Sequence, residues 1–209
     1  MSRRTRDRRW LCVFLVLSTF IVHYREGKRE KMLTEDKKIC VYIIGEKDSM
    51  LVKYLPPYLE STFHRKMKMG ELEMNLDFAY HPKRKQYCSS VILDKLKTMK
   101  GEECERLLAI VGVDLYVPEL NFVFGEADFK AKAAVISTVR LRQEFYGLLE
   151  NKQVFLERVT KGAVHELGHT YGLPHCPNTK CVMHFFPITY GIPILSPILF
   201  ARIAGRSWS

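Results

Sequence analysis

The sequence has no internal repeat, no low-complexity segment and no uninterrupted apolar stretch of the length of a membrane span. Residues 10–22 are apolar, but thirteen residues fall short of the roughly 20 that a transmembrane helix needs. Residues 185–204 are also apolar, and three prolines interrupt them. The 209 residues therefore predict one domain, of one or two lobes, that is long enough to bury a sizeable core.

Cysteines are few, and most of them are isolated in the sequence. Cys176 and Cys181 form the one local pair, and they lie beside three histidines. This arrangement predicts metal chemistry in a reducing compartment rather than an extracellular disulfide framework, and we therefore expect a cytoplasmic protein. The other four cysteines are scattered singly through apparent core or helical segments: Cys12, Cys40, Cys88 and Cys104.

The net charge of +10 invites a nucleic-acid partner, but the positive charge is unevenly spread. Residues 1–31 carry nine Lys and Arg against three Asp and Glu, so the remaining chain is only +4. No stripe of basic and aromatic residues surrounds the histidine-rich segment described below. We therefore expect no nucleic-acid partner.

Residues 1–31 combine a basic run with the apolar stretch 10–22, and no small-residue cleavage site follows. Three interpretations remain open: an uncleaved membrane anchor, a signal peptide, or an extension upstream of a start at Met32 that belongs to no fold. We favour the extension and expect membrane contact only through residues 10–22. The predicted division is an extension at 1–31, a folded domain at 32–185 and an atypical apolar, proline-containing tail at 186–209.

Strand and helix patterns alternate along the folded domain. This order predicts an α/β (α+β) domain in which helices cover a mostly parallel, twisted sheet. Strand Ala133–Leu141 is a candidate cleft edge to which an extended peptide could add as another strand. The other predicted strands are Ile39–Gly45, Glu71–Ala79, Leu107–Val113 with its continuation to Pro118, and Phe122–Gly125. The predicted helices are Ser49–Phe63, broken at Pro56 and Pro57, Ser89–Met99 and Asn151–Tyr171.

The last predicted helix carries three residues of a zinc site. His165 and His169 are four residues apart, so both project from one helix face and can reach a single ion. Glu166 lies beside the first ligand and is placed to act as general base. Gly172 tolerates the positive φ at which a helix ends, and the turn then delivers His175 as third ligand. Three imidazoles leave a fourth position open, as in catalytic rather than structural zinc sites.

The motif continues past the third histidine. The spacing H-E-x-x-H-x-x-G-x-x-H followed by Met183 is the metzincin pattern, which would place Met183 in a turn beneath the zinc. The segment resembles that of the archaemetzincins, H-E-x-x-H-x-x-G-x-x-x-C-x4-C-x-M, with Cys176 and Cys181 at the cysteine positions. Segments Asp114–Gly125 and Val135–Leu141 are similar to strands of the same family.

The resemblance implies a compact metzincin-like fold with an active-site helix, a zinc-dependent peptidase and a second, structural zinc held by four cysteines. The family pattern continues with a Cys-x-x-Cys pair that falls here at Ala201 and Ala204. We therefore expect one catalytic zinc and, at Cys176 and Cys181, only half of a second site. That half-site would bind zinc weakly, be completed by another subunit or stay empty.

The predicted reaction is hydrolysis of peptide bonds, with short peptides as the substrates that the resemblance implies, and both aminopeptidase and endopeptidase activity stay open. We expect Glu166 to take a proton from a zinc-activated water and pass it to the leaving amine. The protein is expected to be a monomer. Two alternatives stay open: a degenerate, non-catalytic zinc-binding relative, and a peptidase tethered to a membrane through residues 10–22.

Overall fold

The computed structural model describes residues 37–45 and 48–184. The predicted extension at 1–31 and tail at 186–209 lie outside the described residues. Within those ranges, no helix is both long and apolar enough to cross a membrane. The helices are α1 (Ser49–Phe63), α2 (Ser89–Met99) and α3 (Lys152–Thr170). The strands are β1 (Lys38–Ile44), β2 (Met67–Glu71), β3 (Tyr80–His81), β4 (Gln86–Cys88), β5 (Cys104–Val111), β6 (Leu115–Tyr116), β7 (Gly125–Asp128) and β8 (Ala133–Ser137).

A five-stranded sheet of order β2-β1-β5-β8-β7 forms the centre of the domain. Every neighbouring pair is parallel except β7 and β8, which are antiparallel. The central strand β5 is almost entirely buried, as expected of a parallel strand covered on both faces. A second, small sheet has the order β3-β4-β6. The prediction of an α/β domain with a mostly parallel sheet is confirmed.

Alternate side chains of the sheet enter two apolar clusters, one on each face. Val41 and Leu108 belong to the cluster that includes residues of α1 and α3. Leu107 and Ala109 belong to the cluster that includes residues of α2. The alternation follows from the two-residue period of a strand. Helices therefore cover both faces, and α3, which carries the predicted zinc motif, lies on the same face as α1.

Helix α1 runs without interruption through Pro56 and Pro57, so the predicted break was wrong. Its stripe of Leu51, Leu55 and Leu59 is fully buried in the core cluster. Burying three leucine side chains contributes several kcal/mol, which is enough to offset the hydrogen bonds that the two prolines cannot donate.

The predicted strand Glu71–Ala79 was wrong beyond its first residue. Strand β2 ends at Glu71, and a 3₁₀ helix occupies Asp77–Ala79. Between them, the side-chain oxygen of Asn75 accepts a hydrogen bond from the backbone nitrogen of Asp77 at 2.7 Å. That local bond forms an Asx turn, and it competes with strand pairing. The apolar residues Leu72, Met74 and Leu76, which alternate in this segment, pack against the apolar cluster that includes residues of α2, although they form no strand.

The two strands before the zinc helix also differ from the prediction. Strand β8 ends at Ser137, and a 3₁₀ helix spans Val139–Leu141. Strand β7 begins at Gly125, where the predicted strand Phe122–Gly125 ends. Strand β8 pairs with β5 on one side and β7 on the other, so it is internal and cannot accept a peptide strand. The edge of the sheet at this end is β7.

A disulfide joins Cys40 in β1 to Cys104 in β5. The sequence predicted no disulfide framework, and for this pair that prediction was wrong. The two residues are 64 positions apart in sequence, but β1 and β5 are parallel neighbours. The register of the two strands shifts between Lys38 and Ile39, and the Cα atoms of the two cysteines lie 5.5 Å apart, a proximity that sequence spacing does not reveal. Both cysteines are buried.

Reducing this disulfide is expected to destabilise the domain by about 4 kcal/mol, because the bond closes a long loop in the unfolded chain. The measurement is urea unfolding of the protein with and without a phosphine reductant, compared with the Cys40→Ala/Cys104→Ala variant. Cys88→Ala serves as the control, since Cys88 carries a thiol outside the disulfide. Equal stability of the oxidised and reduced protein would contradict the expectation.

Candidate metal centre

Helix α3 carries two of the predicted ligands, and local structure fixes where it begins and where it ends. At its start, the side chain of Asn151 accepts a hydrogen bond from the backbone nitrogen of Val154 at 3.0 Å. At its end, Gly172 has a φ of +83°, a value that glycine adopts without strain. Twelve of its nineteen residues are buried, so packing holds the helix in place. The chain after Gly172 turns back and brings His175 to the helix.

The three predicted histidine ligands converge. The Nε2 atom of His169 lies 3.1 Å from Nε2 of His165 and 3.2 Å from Nε2 of His175. In a tetrahedral site with Zn–N bonds of about 2.0–2.1 Å, two ligand nitrogens are separated by roughly 3.3–3.4 Å. The observed separations are close to that value, so the donor set fits zinc.

Backbone carbonyls determine which nitrogen of each helical imidazole carries the proton. Nδ1 of His165 contacts the carbonyl oxygen of Val182 at 2.7 Å, and Nδ1 of His169 contacts that of Leu173 at 2.7 Å. A carbonyl oxygen only accepts, so each Nδ1 must donate. The neutral rings then have unprotonated Nε2 atoms that face one another and cannot share a hydrogen bond. A cation between them makes this arrangement favourable.

Burial keeps two of the three histidines neutral. Burial lowers the pKa of His165 to about 4, and the neighbouring His169 and His175 act in the same direction. Burial also lowers the pKa of His175, with smaller effects of His169 and His184. At neutral pH these imidazoles therefore have lone pairs available, as metal ligation requires.

Glu166 is buried between α3 and the edge strand. Its side chain is only 8% exposed, and burial, with a smaller effect of the Glu126 carboxylate, raises its pKa to about 8. A Cβ atom added at Gly125 would lie 2.7 Å from Cγ of Glu166 and 2.7 Å from the carbonyl oxygen of Val135. The absence of a side chain at Gly125 is therefore what allows Glu166 to occupy this position.

Met183 packs against α3 at Gly168. A Cβ atom added at Gly168 would lie 2.6 Å from the sulfur of Met183, which is 2% exposed. The preceding residue, Val182, supplies the carbonyl that orients His165. The carbonyl of Met183 accepts the backbone N–H of Cys176 at 2.8 Å. Val182 and Met183 thus connect α3 to the segment that carries the third histidine.

Cys176 and Cys181 carry thiols outside the disulfide. In the part of the chain that the structure describes, neither belongs to a group of three or more potential metal ligands. The two groups found there are His165–His169–His175 and Cys40–Glu103–Cys104, and the second contains the disulfide. The half-site at Cys176 and Cys181 stays a prediction.

A cavity of about 830 Å³ opens beside the histidines. Its wall includes Glu166, Lys161 and the edge-strand residues Gly125 and Glu126. Sequence reasoning missed Lys161, Gly125, Glu126 and Gly168. A glycine at the end of an apolar strand pattern signals close approach of another group, and this signal could have identified Gly125. Lys161 is one helical turn before the first ligand, which could have placed it on the metal-facing side.

Comparison with known proteins agrees with this geometry. The profile of peptidase family M54 matches residues 65–188. The archaemetzincin of Methanocaldococcus jannaschii is 39% identical over 148 residues, which cover 71% of this chain and 80% of that protein.

Solved structures show the same similarity. The crystal structure of archaemetzincin from Methanopyrus kandleri matches with a TM-score of 0.70 and 33% identity, over 82% of this chain and 95% of that one. A zinc-dependent peptidase from Methanocorpusculum labreanum matches with a TM-score of 0.64 and 26% identity, over 70% of this chain and 87% of that one. The chain therefore belongs to peptidase family M54, the archaemetzincins, and is a zinc metallopeptidase.

Proposed function

We propose that this protein hydrolyses peptide bonds of short peptides, with His165, His169 and His175 as the zinc ligands and Glu166 as the general base. Removal of amino-terminal residues is the narrower form of this activity. The convergence of three Nε2 atoms beside a cavity that also contains Glu166 is the observation that supports the proposal.

Zinc supplies Lewis acidity, which activates water and polarises a carbonyl group. The residues of this chain supply the rest of the chemistry. In its ionised form, which the positive charge of a bound zinc ion would favour, the carboxylate of Glu166 accepts the proton of the attacking water and delivers it to the leaving amine. Its burial keeps bulk water away from that proton transfer. The Nδ1–H bonds of His165 and His169 to backbone carbonyls hold the imidazoles in a fixed orientation.

The edge strand β7 is the proposed binding site for the peptide backbone. It is the terminal strand of the sheet, and Gly125, Glu126 and Ala127 form part of the cavity wall. The outer backbone groups of a terminal strand are available for an added strand, and an extended peptide satisfies them. A peptide bound in this way lies beside both Glu166 and the histidines.

Replacement of Glu166 by Gln is expected to lower kcat by about 10²–10⁴-fold while the protein keeps one equivalent of zinc, because Gln cannot accept the proton. The measurements are cleavage of a peptide library by mass spectrometry and elemental analysis of the same samples. Residual activity equal to that of the wild type would exclude Glu166 as the base.

The same measurements on the wild-type protein test two other expectations. Absence of cleavage by the zinc-loaded wild-type protein would favour the non-catalytic alternative. Two zinc ions per chain would contradict an incomplete second site at Cys176 and Cys181.

Replacement of Gly125 by Ala is expected to lower kcat/KM by about 10²-fold without loss of zinc, because the added methyl group clashes with Glu166 and with the carbonyl oxygen of Val135 and meets none of the histidines. Gly70→Ala in β2 is the control, since its added methyl group meets only the ring of Tyr42, at 3.2 Å. Steady-state kinetics and zinc content of both variants test this. Loss of zinc from Gly125→Ala would show that the glycine serves the metal ligands instead.

Replacement of Gly168 by Ala is expected to weaken zinc binding by about 10- to 100-fold, because the methyl group pushes Met183 and with it the Val182 carbonyl that orients His165. Alanine has a higher helix propensity than glycine. The substitution is therefore not expected to destabilise the metal-free protein by weakening α3. Competition with a chromophoric chelator measures the affinity. Unchanged affinity would contradict a role of this contact in holding the ligand.

A further inference from the structure

A buried lysine lies in the wall of the catalytic cavity. Lys161 is only 8% exposed, and within the described residues it is one of three buried charged side chains, with Arg106 and Glu166. It precedes His165 by four residues on α3, so the two lie on one helix face about 6 Å apart along the axis. Both contribute to the wall of the 830 Å³ cavity.

Nothing in the described part of the chain neutralises this ammonium group. No hydrogen bond or ion pair within residues 37–45 and 48–184 involves Lys161, whereas the guanidinium of Arg106 lies over the ring of Tyr171 at 4.2 Å. Burial lowers the pKa of Lys161, and the nearby charges of Glu157 and Arg158 act in opposite directions. Lysines are seldom buried unless they are paired, so this position requires an explanation.

Three carboxylates line the cavity, those of Glu119, Glu126 and Glu166, and in the described part of the chain none of them forms an ion pair with Lys161. Glu119 is exposed to solvent. Both hydroxyls of Ser89 and Ser90 donate to Glu126, with Ser90 Oγ at 2.9 Å from one oxygen. Glu166 follows Lys161 by five positions, which places it roughly 140° around the helix. Lys161 is therefore available to an anionic group that enters the cavity from outside.

We propose that Lys161 determines substrate specificity by binding a carboxylate of the peptide within about two residues of the scissile bond. The distance supports this placement, because one residue of an extended peptide spans about 3.3–3.6 Å and the lysine is one helical turn from His165. The carboxylate can belong to an Asp or Glu side chain or to the free C-terminus. This inference rests on the proposed peptidase function and names the substrate class of the same site.

The test compares matched peptides on the zinc-loaded wild-type protein. One series replaces Asp by Asn, or Glu by Gln, at each position around the cleavage site, and a second series compares a free C-terminal acid with its amide. We expect kcat/KM to favour the acidic member of one series by about 10- to 100-fold, as a charged hydrogen bond would give. The series that shows the preference identifies which carboxylate Lys161 binds.

The lysine itself is tested with three variants. Lys161→Met is expected to abolish the preference for the acidic peptide while its cleavage of the neutral peptide stays measurable, and Lys161→Arg to retain part of it. Lys152→Met is the control, because Lys152 is an exposed lysine at the start of the same helix. Calorimetric titration of acidic and neutral peptides into Glu166→Gln, with and without Lys161→Met, gives the same comparison without turnover.

The two proposals fail in different ways. Cleavage of neutral peptides with no acidic preference in the wild type would overturn the role of Lys161 and leave the peptidase function standing. A preference that persists in Lys161→Met would also overturn it. Absence of all cleavage would overturn the peptidase function, and the binding titrations would still decide whether Lys161 binds the carboxylate.

Discussion

The metal centre depends on two hydrogen bonds from imidazole rings to backbone carbonyls. Val182 and Leu173 accept the Nδ1 protons of His165 and His169, and this leaves both Nε2 atoms without protons and directed at one point. Neither carbonyl belongs to α3, so the helix alone does not assemble the site. The chain after the helix must fold back on it, and that requirement explains why the turn ending at Met183 packs so closely.

Two glycines allow the sheet, helix α3 and the turn that contains Met183 to approach one another closely. Gly125 lets the carboxylate of Glu166 lie against the edge strand, and Gly168 lets the sulfur of Met183 lie against the helix. In each case a methyl group would occupy space already filled by the neighbouring atom. The positions of Glu166 and Met183 therefore depend on residues with no functional groups, because packing of a protein interior leaves no room to shift.

The convergence of the three histidines beside Glu166 could be predicted from the sequence because these residues lie on one helix and the turn that follows it, where spacing determines geometry. The parts supplied by distant segments could not. The carbonyl of Val182 has no side-chain signal, and the pairing of Cys40 with Cys104 depends on β1 and β5 being neighbours in the sheet. The edge of the sheet was misassigned for the same reason, since strand order is a property of the whole topology.

Helix α3 places one positive and one acidic side chain in the cavity wall, and this arrangement can orient a bound peptide. The ammonium of Lys161 lies one turn before His165, and the carboxylate of Glu166 points to a different side of the helix, toward Gly125. A substrate with a negative group would place that group near Lys161 and its scissile bond near the histidines. Since the low dielectric of a buried wall strengthens such an interaction, one uncompensated lysine is sufficient to favour one binding direction over its reverse.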